Sequence, residues 1–185
     1  MQDNSWEDDR TEMIKAWGGD IPSIANIVSK LSKPAFNLAH KILLNKEDAE
    51  DCLQDAFCRL WMVKNQFQGK SSLKTYFFKI VINSCFAILK KRPDVKVEDF
   101  DNVDHDSMVI EHHYSNVENN LVSLDIKNAL LELTPKQRMA IVLWTYFDFT
   151  ASEIGQMMEM NKNSVDQLLF RAKQQLKSVL NGRAK

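Results

Sequence analysis

The chain has 185 residues, 44% of them hydrophobic and 26% charged, with five glycines, four prolines and a formal net charge of -1. That balance excludes a low-complexity or fibrous chain and suits one ordinary domain or two small, mostly helical ones. No apolar run reaches the roughly 18–20 residues that cross a bilayer, and the acidic, polar start "MQDNSWEDDRTEM" is not expected to act as a secretory signal. A cytoplasmic protein without membrane insertion is therefore expected.

The charge is unevenly distributed. Residues 1–63 hold seven basic and eleven acidic side chains. Residues 64–92 hold seven basic ones (Lys64, Lys70, Lys74, Lys79, Lys90, Lys91 and Arg92) and no acid. Residues 93–120 reverse this with one basic and eight acidic side chains, and residues 121–185 return to nine basic against six acidic. Alternating basic and acidic blocks of this kind point to a polyanionic partner.

Helical spacing begins in "DIPSIANIVSKLSKPAFNLAHKILL", with Ile24, Ile27, Val28 and Leu31 on one stripe and Phe36, Leu38, Ala39, Ile42 and Leu43 on a second. Asn45 then reads as an N-cap, followed by acids in the first turn and by Ala49, Cys52, Leu53, Ala56, Phe57, Leu60 and Trp61 at helical intervals. After the turn "QGKSS", the segment "LKTYFFKIVINSCFAILKKR" predicts a long helix, apolar around much of its girth and basic at its end. Cys52, Cys58 and Cys85 are odd in number and lack paired spacing, so neither a disulfide framework nor a zinc site is expected. All three are expected to be buried thiols used as small hydrophobes. No metal or cofactor is expected.

The helix-breaking Pro93 opens "PDVKVEDFDNVDHDSMVIEHHYSNVENN", which has no sustained periodicity and reads as an acidic, flexible linker over 93–120. Beyond it, "LVSLDIKNALLEL" is amphipathic. Thr134, Pro135 and Gln137 form a capping box with proline at the first helical position, and Thr150 with Glu153 repeats the box. In the final helix, Val165, Leu168, Leu169, Ala172 and Leu176 share one face. Asn163, Asp166, Gln167, Phe170, Lys173, Gln174 and Lys177 share the other, with Arg171 to one side. The helix before it buries Ile154 and Met157 or Met158. Gly155 allows a close approach and Asn161 caps the last helix, which is the layout of a DNA-binding helix-turn-helix. Taken alone, the same pattern also suits a helical hairpin in an ordinary bundle.

Read together, the two blocks resemble a bacterial RNA polymerase sigma factor of the sigma-70 family, of the small two-domain extracytoplasmic-function type. "EDAEDCLQDAFCRLW" is similar to the family's domain-2 helix, and "FQGKSSLKTYFFKIVINSCFAILKKR" resembles the loop and helix that follow it. "LTPKQRMAIVL", "SEIGQMM" and "NSVDQLLFRAKQQL" resemble domain 4. The chain departs from the pattern at Ala87, where the family usually has Asp, and at Asp148 and Glu159, where it often has glycine. Val165-Asp166-Gln167-Leu168 also replaces the frequent Val-Lys-Ser-Arg.

The resemblance implies an all-α protein of two small helical domains, region 2-like over 1–92 and region 4-like over 121–185. It also implies a function without bond chemistry, in which the chain binds polymerase core and directs it to promoters. Asp48, Glu50, Asp51, Gln54, Asp55 and Phe57 are expected to dock on the core's largest subunit, an acidic face with an apolar anchor. Gln68, Gly69, Lys70, Ser71, Ser72, Lys74, Tyr76, Lys79, Asn83, Lys90, Lys91 and Arg92 are expected to hold the proximal (-10 type) promoter element. The cations would neutralise phosphates, and the loop with Tyr76 and Asn83 would receive an unstacked base. Phe77 and Phe78 suit the core better. Lys162, Asn163, Ser164, Asp166, Gln167, Phe170, Arg171 and Gln174 are expected to read the distal (-35 type) element. Polymerase core, promoter DNA and an anti-sigma factor are the implied partners. One alternative is another helix-turn-helix regulator with an unrelated helical sensor domain. Another is a metal-dependent enzyme or sensor using His105, His112 and His113, which show no i, i+4 pairing.

Overall fold

The computed structural model describes residues 5–63, 66–92 and 124–183, and every regular element among them is helical. In chain order these are α1 (Ser5–Trp17), α2 (Ile21–Leu43), α3 (Lys46–Met62), α4 (Leu73–Lys90), α5 (Leu124–Leu131), α6 (Pro135–Tyr146), α7 (Ala151–Met158) and α8 (Lys162–Arg183). The expected linker and its histidines lie outside the described residues, as does Lys64.

Helix starts follow from capping chemistry. Asp20 accepts from the Ser23 amide at 3.0 Å, Asn45 from Asp48 at 3.1 Å, and Ser72 from Thr75 at 3.1 Å. The two expected stripes of α2 belong to one 23-residue helix that runs through Pro34. A mid-helix proline forfeits one backbone bond and crowds the preceding turn. Here Leu31, Ala35, Leu38 and Ile42, buried on both sides of it, hold the helix together by packing.

The inner face of α3 is made of small residues. Ala49, Cys52 and Ala56 are fully buried and let α3 lie close to α2 and α4. The Cys52 thiol sits 3.5 Å from that of Cys85 and 3.6 Å from the Val81 carbonyl, and burial pushes the Cys85 thiol well above its ordinary value. These two are inert small hydrophobes, as the sequence suggests. Cys58 is not: it is exposed, because it falls on the outer face of α3.

α1 is a helix that the acidic start conceals. Met13 and Ala16 are buried on the α2 side, and the Trp17 indole N–H donates to the Leu60 carbonyl at 3.3 Å. Glu12 pairs with Lys30 at 3.2 Å and accepts from Asn26.

In the C-terminal half both capping boxes form, at Thr134 with Gln137 and at Thr150 with Glu153. Asp148 and Glu159 adopt φ of 53° and 55°, the left-handed region where glycine is free of strain. The family's preference for glycine at these two positions thus has a backbone cause. Arg138 is buried, and its guanidinium donates to the carbonyls of Leu130 (2.8 Å), Leu133 (3.3 Å) and Ile42 (3.1 Å). Those carbonyls lie at or just beyond the C-terminal ends of α5 and α2, where a cation is favoured.

The bond to Ile42 crosses between the two halves of the chain. α6 packs on α2 and α7 on α4, and the buried apolar residues form one continuous cluster. Phe78 of α4 meets Phe147 edge-on at 5.3 Å and Phe149 at 6.4 Å. The Lys41 ammonium lies 4.4 Å from the centre of the Tyr146 ring.

Candidate nucleic-acid interface

α8 has the geometry expected of a groove-reading helix. Val165, Leu169 and Ala172 are buried, and the half-buried Leu168 and Leu176 pack against the same core. Lys162, Asn163, Asp166, Gln167, Phe170, Arg171 and Gln174 are exposed, and Ser164 is half-exposed. Asn161 accepts from the Ser164 amide at 2.9 Å, so the helix start is capped by the residue the sequence nominates. Phe170 is 65% exposed on the same face. Behind this face, a Cβ on Gly155 would lie 2.5 Å from the Met160 carbonyl and 3.6 Å from Val165. The glycine is therefore required first by the turn between α7 and α8, and second by the crossing of the helices.

The proximal candidates divide by environment. Tyr76, Lys79, Asn83 and Lys90 recur at helical spacing on α4 and keep partial or full exposure, with the departure Ala87 on the same stripe. Tyr76 packs against Phe67 with ring centroids 5.2 Å apart, and burial raises its phenol pKa. The loop before α4 exposes Gln68 and Lys70. It turns through Gly69 at φ 69° and buries Ser71, whose hydroxyl donates to the Ser72 carbonyl at 3.3 Å. Ser71 and Ser72 are therefore structural, the first by burial and the second as the cap of α4. Lys74 lies over the Phe78 ring, 5.6 Å from its centre, and burial lowers its pKa to about 8. Lys79 faces Glu159 of the C-terminal half at 3.6 Å. Arg92 pairs with Asp48 and donates to the Leu43 carbonyl at 3.3 Å, which fastens the end of α4 to the start of α3. Lys70, Lys90 and Lys91 remain exposed.

On α3, Glu50, Asp51 and Gln54 are exposed. Asp55 accepts from Arg59 and from the Ser84 hydroxyl, both at 2.8 Å, so its carboxylate also braces α4. Phe57 is half-buried on Phe77, with ring centroids 4.6 Å apart. The acidic face and its apolar neighbour thus share one helix, with Asp48 and Asp55 partly committed inside the molecule.

Both faces fall in segments that match family models. Residues 27–92 match the family model for Sigma-70 region 2, and residues 123–176 match that for Sigma-70 region 4. The chain belongs to the sigma-70 family. Its members are transcription initiation factors that direct RNA polymerase to promoters, and this chain groups with those of the extracytoplasmic-function type. It is 26% identical over 137 residues to the RNA polymerase sigma factor SigV of Bacillus subtilis, covering 74% of this chain and 78% of that one. It is 26% identical over 174 residues to the ECF sigma factor SigW of the same organism, covering 88% and 91% of the two chains. The fold is shared with the sigma factor RpoE of Bartonella quintana, solved in complex with the anti-sigma factor NepR: TM-score 0.65 and 24% identity, over 87% of this chain and 98% of that one. It is shared also with CnrH, solved in complex with the cytosolic domain of CnrY, at a TM-score of 0.67 and 17% identity over 94% and 97%. The two family matches do not favour the alternative of another helix-turn-helix regulator with an unrelated sensor domain. Among the described residues no helix is long and apolar enough to cross a membrane.

Sequence reasoning missed the residues that join the two halves of this sigma factor. The sequence pattern singles out none of Lys41, Arg138, Tyr146, Phe147 and Phe149 for that contact. No periodicity within one helix announces a contact with a helix roughly 100 residues away.

Proposed function

We propose that the chain is a two-point promoter reader with a separate polymerase-docking face. Glu50, Asp51 and Gln54 of α3, flanked by Phe57, meet the basic surface of core polymerase. Asp48 and Asp55 support them by holding α3 against α4. Lys70, Lys90 and Lys91 contact phosphates of the proximal element, while Gln68, Gly69, Tyr76 and Asn83 receive an unstacked base. Lys74 and Lys79 join them once α7 moves off α4. The exposed face of α8 reads the distal element, with Lys162, Ser164 and Arg171 on phosphates and Asn163, Asp166, Gln167, Phe170 and Gln174 towards base edges. The observation that carries this reading is the exposed, capped α8 face standing on the buried Val165, Leu169 and Ala172, in the same chain as the basic α4 face. The chain supplies recognition and performs no bond chemistry. It acts where promoter DNA and polymerase are, in the cytoplasm, and an anti-sigma factor is its natural protein partner.

Purified chain mixed with core polymerase is expected to form a stable complex at low salt and to support run-off transcription from promoters selected out of a random library. A free-standing helix-turn-helix regulator would instead bind duplex DNA tightly without core. Failure to bind core at low salt would end this reading.

A further inference from the structure

The loop at 66–72 is clamped by α1, an element that neither DNA face includes. Asp9 of α1 accepts a hydrogen bond from the Leu73 amide at 2.8 Å. Leu73 is the first residue of α4, and its N–H has no partner inside the helix. Ser72 satisfies the amide two residues further on, so the start of α4 is held by one cap of its own and one from a distant helix. Burial raises the Asp9 pKa above the ordinary carboxylate value, against the lowering effect of that amide. The half-buried carboxylate makes a contact that water could otherwise have made.

A second contact lies one turn of chain earlier. A Cβ on Gly69 would stand 3.1 Å and 3.3 Å from Cδ and Cβ of Arg10, and 3.4 Å from the Trp6 carbonyl. Gly69 already requires a left-handed φ of 69°, so both its conformation and its neighbour fix the loop. α1 is itself anchored elsewhere, to α2 through Glu12 with Lys30 and to α3 through Trp17 with Leu60. It lies against the loop from outside.

We infer that α1 positions the base-receiving loop, with Asp9 and Arg10 as positioning residues for promoter opening. The inference rests on the proposed role of that loop. A loop whose C-terminal hinge is pinned at Leu73 and whose apex lies close against α1 at Gly69 presents Gln68 and Tyr76 in one arrangement. Freed at either point, it would sample many arrangements, and the captured base would lose a preformed pocket.

The test uses the full chain assembled with core polymerase on a promoter selected by the wild-type protein. Duplex opening is followed by a fluorescent base analogue in the proximal element, beside core affinity and the base preference at the captured position. Asp9→Ala is expected to lower opening about tenfold, the effect of losing a hydrogen bond to a charged acceptor, and to flatten base preference. Core affinity should stay within about twofold. Asp9→Asn keeps an acceptor oxygen and should restore most of the opening. Arg10→Ala, a surface change expected to fold normally, should move opening and base preference in the same direction by a smaller factor. It carries the test should Asp9→Ala fail to fold. Unchanged opening and base preference in these variants would overturn the inference, as would a parallel loss of core affinity. Tyr76→Ala serves as the reference: if opening survives it, the loop reading and this inference fall together. If Tyr76→Ala abolishes opening and the α1 variants do not, only this inference falls.

Discussion

Asp166 is the one acid of α8, on the face that otherwise carries Lys162, Asn163, Gln167, Phe170 and Arg171. An acid near a helix start can be explained by the macrodipole, worth about 0.3–1 kcal/mol within the first turn. Asp166 is the fifth residue of α8, and Asn161 already occupies the cap by accepting from Ser164. The dipole therefore has little left to offer it, whereas its exposed carboxylate is free to accept from the amino group of cytosine. Asp166→Ala should change the unfolding free energy by less than about 0.5 kcal/mol. In promoter selection it should relax preference at a single distal position, corresponding to about 1–3 kcal/mol of discrimination. A stability loss with unchanged base preference would assign Asp166 to the helix instead.

At the level of elements, the turn between α7 and α8 tightly constrains the proposed distal reader. A methyl group at Gly155 would sit 2.5 Å from the Met160 carbonyl, a backbone atom that cannot rotate away. Gly155→Ala should therefore destabilise the C-terminal half by about 1–3 kcal/mol, as overpacking does. It should also weaken distal-element binding by tilting α8, measurable by thermal unfolding and by binding to a distal-element duplex with core present. An equal or higher unfolding midpoint would contradict it. This element was also the most legible in the sequence. Thr150, Glu153, Gly155 and Asn161 each act locally, and local chemistry is written in adjacent residues. α1 was illegible for the opposite reason. Its buried Met13 and Ala16 are few among acids, and its stability comes from Trp17, Glu12 and Asp9 reaching three other helices. Pro34 misleads in the same way, because packing on both sides overrides a local breaker. For the site residues, spacing located the exposed stripes. It could not reveal that Arg92 is spent on Asp48 or that Ser71 is buried, since both depend on which helix lies opposite.

At the level of the whole molecule, the two faces proposed to read DNA are in unequal states. The α8 face is open, while α7 lies against α4, where Lys79 is neutralised by Glu159 at 3.6 Å with side chains only 15% and 26% exposed. For Lys79 to serve a phosphate the pair would have to separate, so the proposed proximal recognition carries a conformational cost that the proposed distal recognition does not. Phe78, next to Lys79 in sequence, packs against Phe147 and Phe149, so apolar burial also favours the closed arrangement. The charge pair therefore adjusts the balance without dictating it. Glu159→Lys retains a side chain at a left-handed position, leaving the backbone cost as it was, and replaces attraction to Lys79 by repulsion. The open fraction should rise, and apparent affinity for the proximal element should rise with it, because affinity scales with the competent fraction. Small-angle scattering of the free chain should report a larger radius of gyration for Glu159→Lys than for wild type at low ionic strength, with the difference shrinking as salt screens the pair. A second substitution, Lys79→Glu, restores opposite charges and should return the radius to the wild-type value while removing a phosphate contact. Recovery of compactness without recovery of proximal binding would separate the two duties of Lys79. An unchanged radius in Glu159→Lys would mean that the aromatic seat alone holds α7 on α4.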